Sequence, residues 1–145
     1  MPMLWIILMI ATAVVGLLAD AERSSNTRSV AVDIDALAYN MITYRNALAE
    51  YAHANPTVTG APADSVLALP TWYRKLPNVS GYVNTGQSFT YYLRPPNGLV
   101  SKMVDLTQSQ AIGTVVASTL QSPISGNMGI VVPPAIPNGS ALAYQ

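Results

Sequence analysis

Hydrophobic residues run uninterrupted by charge through residues 1–19, where Leu4, Trp5, Ile6, Ile7, Leu8, Val14, Val15, Leu17 and Leu18 leave no polar face. A helix rising ~1.5 Å per residue needs about twenty such residues to cross a hydrocarbon core of ~30 Å. This segment is therefore expected to be a transmembrane anchor. Ala19-Asp20-Ala21 has the small-x-small form of a signal cleavage site, but no Lys or Arg precedes the run. The run also exceeds the ~7–15 residues of a signal-peptide core, so an uncleaved signal anchor is the expectation. With acidic Asp20 and Glu22 first on the far side and almost no amino-terminal segment to move, the simplest topology keeps the amino terminus cytoplasmic and exports the rest. Inside the span, Thr12 and Gly16 lie four apart, a spacing of small residues suited to helix packing in lipid and to pairing of copies.

Beyond the span the pattern changes period. Ser24-Ser25-Asn26-Thr27 are poor helix formers. From Val30, apolar Ile34, Leu37, Met41, Tyr44, Leu48 and Tyr51 recur three and four apart, with Asp35, Thr43, Asn46, Glu50 and His53 opposite. This is the stripe of an amphipathic helix, and Asn55-Pro56 should end it because a residue before proline avoids the α region. Residues 56–63 read as a linker, and Asp64 as the cap of a short turn stopped by Pro70. Alternation then takes over. Residues 79–83 and 87–94, separated by Asn84-Thr85-Gly86, predict a hairpin, and Asn97-Gly98 a turn into a third strand over 99–104. Asp105 and Gln108 have capping-box spacing, with Leu106, Ile112, Val115, Val116 and Leu120 as the apolar face of a helix ending near Ser122-Pro123. Residues 128–132 suit a last strand.

The predicted class is α+β: an N-terminal transmembrane helix, an amphipathic helix, then a small, mainly antiparallel sheet with a packed helix. The expected organisation is an anchor over 1–19, a juxtamembrane region and amphipathic helix over 20–55, and an exported domain over 56–145 that includes the linker at 56–63.

Charge and composition narrow the function. A net charge of zero with only 10% charged residues lacks the basic footprint that neutralises phosphates, so nucleic acid is not an expected partner. There is no Cys and a single histidine, His53, which excludes thiolate sites and two-histidine metal sites within one chain. Glu50 stands one turn before His53, so a hydrolase built on a Ser with His53 and Glu50 is the one conceivable enzymatic alternative. Asp33 and Asp35 point to different sides of a helix, Asp64 and Asp105 read as caps, and the scattered glycines form no phosphate loop. No catalytic, cofactor-binding or metal-binding residues are assigned. The aromatic and basic run Trp72-Tyr73-Arg74-Lys75 is the candidate partner-docking site.

Three segments carry a family resemblance: the apolar start Met1-Pro2-Met3-Leu4-Trp5-Ile6, the stretch Asn40-Met41-Ile42-Thr43-Tyr44-Arg45, and the carboxyl half with residues 107–120 and Gly129-Ile130-Val131-Val132-Pro133-Pro134. In these, over nearly its whole length, the chain resembles the PilM family of small proteins associated with the thin, type IVb pili of IncI-type conjugative plasmids. That family is distinct from an actin-like cytoplasmic protein that shares its name. The resemblance implies an inner-membrane component of pilus biogenesis or conjugation whose periplasmic domain contacts other assembly proteins. It transfers no functional residue. A pilin-like structural subunit is the neighbouring reading, since pilins also join an apolar helix to an amphipathic one and a small sheet. The short basic leader ending in Gly and the Glu near the start of a pilin's apolar run have no counterpart here, so prepilin-peptidase processing is not expected.

Overall fold

A computed structural model describes residues 33–145. The anchor expected over 1–19, its Thr12 and Gly16 surface, and residues 20–32 lie outside the described residues. Among the described residues no helix is long and apolar enough to cross a membrane.

The amphipathic stripe forms helix α1, residues 33–54. Leu37, Met41, Tyr44 and Leu48 are buried along one side, and Ala38, Ala47 and Ala52 beside them let the helix lie close to what it covers. It ends as the sequence predicts. Asn55 turns both its amide N–H (3.0 Å) and its side-chain Nδ2 (2.9 Å) back to the Tyr51 carbonyl, and Pro56 follows.

Seven strands make one antiparallel sheet: β1 (Thr59–Gly60), β2 (Val79–Asn84), β3 (Gln87–Tyr92), β4 (Ile112–Val116), β5 (Thr119–Ser122), β6 (Gly126–Val131) and β7 (Ala141–Tyr144), in spatial order β1-β2-β3-β7-β4-β5-β6. The predicted hairpin is β2–β3. Its register pairs Asn84 with Gln87 around Thr85-Gly86, both at positive φ (47° and 86°), which matches the right-handed twist of the strands. The class is α+β as predicted, with a larger sheet than the three or four strands expected.

Alternation gives the sheet two apolar faces. Val79 and Val83 of β2, Ile112 of β4, and Ala141 and Ala143 of β7 join Leu37, Met41, Tyr44 and Leu48 of α1 in the larger core. Helix α2 (Leu99–Thr107) contributes Leu99, Met103 and Val104 to the same core. The small residue Gly81 allows this approach, because a Cβ there would stand 2.7 Å from both Leu48 Cδ2 and Tyr44 Cε1. The opposite face gathers Phe89, Val115, Leu120 and Leu142 under Val132 and Ile136 from the segment after β6.

Four local expectations are corrected. Residues 99–104 are helical, not a strand: Leu99, Met103 and Val104 sit at helical spacing and all point into the core. The helix predicted from Asp105 to Ser122 does not exist. Asp105 lies inside α2, and Gln108 closes it in a left-handed conformation (φ 53°), its N–H donating to the Val104 carbonyl at 2.7 Å. The β-branched run that follows becomes the β4–β5 hairpin. Asp64 caps nothing, for the short 3-10 turn Asp64–Val66 has Ala63 at its start. The linker at 56–63 holds the edge strand β1.

Candidate functional site

Two exposed surfaces stand at opposite ends of the described domain. Gly98 lies beside Ile34, in the first described turn of α1, and Gly86 beside Pro56, just past its last. At ~1.5 Å per residue, residues 33–54 set these ends about 30 Å apart.

At the end where α1 begins, a loop over residues 70–78 is tied to the helix by one side chain. Asn40 Nδ2 donates to the Arg74 carbonyl at 2.8 Å. Its Oδ1 accepts from the Tyr73 hydroxyl at 2.8 Å and from the Leu76 N–H at 3.2 Å. A second tie runs through Asp64, which pairs with Lys75 at 2.8 Å and lies 3.5 Å from the Tyr44 hydroxyl, with the Lys75 ammonium 5.5 Å from the Tyr44 ring centroid. Burial, then the Asp64 carboxylate, pushes both hydroxyls upward: Tyr73 to about 12, and Tyr44 further still.

This geometry divides the four residues singled out in the sequence. Tyr73 is buried and Lys75 is engaged in the fold, so these two position the loop. Trp72 and Arg74 are presented outward, and Trp72 is 72% exposed with its indole edge-on to Tyr73 at 6.4 Å. Tyr39 on α1, 58% exposed, joins them around a concavity of about 490 Å³ floored by Ala36, Asn40 and Thr43. Arg74 Nη1 donates to the carbonyls of Thr71 (3.4 Å) and Tyr73 (3.1 Å), and among the described residues it meets no carboxylate. Tyr39 and Asn40 escaped the sequence reading. An aromatic on the polar side of an amphipathic helix was the available signal.

At the other end a groove of about 560 Å³ runs between Tyr82, Asn84, Gln87 and Tyr144 on one wall and residues 129–134 on the other. Val131, 74% exposed, stands on its rim. The Val132 N–H donates to the Ser118 carbonyl at 2.9 Å. Alternation along an antiparallel pair therefore turns the Val131 amide away from β5, to the open side. Pro133 and Pro134 follow without amide hydrogens, so the edge offers no backbone donor at these two positions. The groove is suited to receiving side chains.

The residues weighed for chemistry are dispersed. His53 is exposed with its Nδ1 2.7 Å from the Ala49 carbonyl, and Glu50 lies exposed one turn away. Asp35 pairs with Lys102 at 3.1 Å. Among the described residues no group of three or more His, Asp or Glu is placed to hold a metal ion.

Comparison with known proteins gives the chain its relatives. No curated protein matches it. A crystal structure of a pilM protein from Pseudomonas aeruginosa 2192 shares 39% identity over 78% of this chain and 93% of its own, with a TM-score of 0.52. A PilM protein from Escherichia coli B7A shares 21% identity over 79% of this chain and 93% of its own, with a TM-score of 0.62, a likeness of fold alone. The PilM family model matches residues 6–144. The chain belongs to the PilM family of pilus-related proteins.

Proposed function

We propose that this protein is an inner-membrane component of type IVb pilus biogenesis and conjugative transfer, held by residues 1–19 as a signal anchor, with its C-terminal domain in the periplasm. It works by contact with other pilus-assembly proteins and carries out no catalysis. The observation that carries the reading is the family match over residues 6–144, which takes in most of the apolar segment as well as the folded domain. The groove beside Val131 supports it, because half-buried Tyr82 and Tyr144 and exposed Val131 offer the aromatic and aliphatic surface that protein interfaces use. The test joins two measurements on the full chain. An alkaline phosphatase fused after Asn55 is expected to be active, and detergent extraction is expected to bring pilus-assembly proteins down with the chain. An inactive fusion would overturn the topology. A lone monomer that cells do not need for piliation would overturn the role.

A second reading has one observation in its favour. Helix α1 lies along an antiparallel sheet as the amphipathic half of a pilin helix does, so a structural subunit of the pilus itself is the alternative. It requires the protein in sheared pilus fractions, whereas an assembly component stays with the inner membrane.

A further inference from the structure

We propose that Tyr39, Trp72 and Arg74 form a lipid-contacting face, on which the domain rests against the headgroup region of the bilayer. The inference depends on the anchoring reading and adds to it the side of the domain that meets the membrane.

Three observations converge on this face. The first is the length of chain leading to it. Only thirteen residues, 20–32, separate the apolar segment from the first described residue of α1, and even fully extended they span at most about 45 Å. The domain is confined near the bilayer, and Tyr39 lies only about 9 Å along the helix from residue 33. The groove beside Val131 belongs to the other end. The second is side-chain chemistry. Trp and Tyr have an apolar ring body with a polar tip, which fits the boundary between headgroups and acyl chains, and both are enriched there. Arg74, with no carboxylate partner among the described residues, supplies positive charge toward anionic headgroups. The third is rigidity. Trp72 is 72% exposed on a loop fixed by three hydrogen bonds to the Asn40 side chain. With Tyr39, 58% exposed, across the same concavity, the fixed indole belongs to a contiguous aromatic patch rather than standing singly on the surface.

The chain holds two tryptophans, Trp5 and Trp72, so Trp5→Phe leaves Trp72 as the only indole. The full-length Trp5→Phe protein is reconstituted into vesicles of phosphatidylethanolamine and phosphatidylglycerol, with or without bromine near the headgroup end of the acyl chains. Flotation reports anchoring and fluorescence reports Trp72. The expected result is flotation with a blue-shifted emission that shallow bromolipid reduces about twofold, as for an interfacial indole. Arg74→Gln in the same background should weaken the quenching when phosphatidylglycerol is present and leave it unchanged in its absence. Flotation with emission unaffected by bromolipid would overturn the lipid face and leave the anchor standing. Shielding of Trp72 from aqueous acrylamide in native membranes but not in these vesicles would overturn it too, and assign the face to a protein. Failure to float would overturn the anchor, and the lipid face with it.

Discussion

Asn40 links a helix to a loop through three hydrogen bonds that backbone structure does not supply. Asn40→Ala removes all three and leaves the Tyr73 hydroxyl to the Asn40-position carbonyl alone, 3.2 Å away. The expected loss is about 1–2 kcal/mol, read from urea unfolding, since net hydrogen bonds contribute about 1 kcal/mol each and the site is partly open to water. In the Trp5→Phe background the anisotropy of Trp72 should fall as well, and an unchanged anisotropy would mean something else holds the loop. The same cluster sets a pH response. Tyr73 is raised from 10.0 to about 12 and Tyr44 is also raised, both mainly by burial and then by Asp64. Both are neutral in the folded protein where an unfolded chain would ionise them. Their contribution is complete below pH 10 and erodes above it, Tyr73's as pH climbs to about 12 and Tyr44's beyond that, because the unfolded state then binds fewer protons. Urea midpoints should hold steady up to pH 10 and drop beyond it, and Tyr73→Phe should make that drop shallower.

The β4–β5 hairpin shows which elements the chain displays openly. Its two turn residues are Ala117 and Ser118, at φ 48° and 60°. Neither belongs to the Asn-Gly or Asp-Gly pairs that announce such a turn. Without that signal, Ile112, Val115, Val116 and Leu120 fit a helical stripe as well as two strands, and the chain forms the strands. The β-branched content of residues 112–119 was the opposing signal. Strand β7 was hidden for a related reason. Ala141, Leu142, Ala143 and Tyr144 are four residues rich in alanine, yet they fill the slot between β3 and β4, where alanine suits the close approach of the helices. The features that were legible, α1 and the β2–β3 hairpin, each combine a clean period with a proper terminator, Pro56 or Gly86. The aromatic surface was half legible: Trp72 and Arg74 are adjacent in sequence, while Tyr39 reaches them only through the tertiary tie at Asn40. The turn itself gives a prediction. Left-handed conformations disfavour residues with a Cβ by about 1–2 kcal/mol each, so Ala117→Asn with Ser118→Gly should stabilise the protein by about 1 kcal/mol. The Ser118 N–H that donates to Asn138 Oδ1 at 3.0 Å survives this change, and a higher urea midpoint at unchanged slope would establish it.

At the scale of the whole domain the proposed reading assigns the two surfaces different work. Tyr39 lies about 22 Å along α1 from residue 54, and the groove lined by Gln87 and residues 129–134 lies toward that far end, where Gly86 approaches Pro56. On the proposed arrangement, with the Tyr39 and Trp72 face on lipid, the groove is left to meet proteins, and Val131 is the side chain best placed to report on it. Val131 is 74% exposed and its chain neighbours, Ile130 and Val132, supply the packing. Val131→Asp should therefore change folding stability by no more than about 0.5 kcal/mol, the usual range for an exposed site. A carboxylate on the rim of the groove would nevertheless have to be stripped of water whenever a partner covered it, an unfavourable step without a waiting cation. The variant is expected to fold, to float with vesicles and to show unchanged Trp72 quenching, yet to lose pilus-assembly proteins in detergent co-purification and to impair piliation. If Val131→Asp keeps its partners while Trp72→Ala loses them, the division is reversed, and the aromatic end meets proteins instead of lipid.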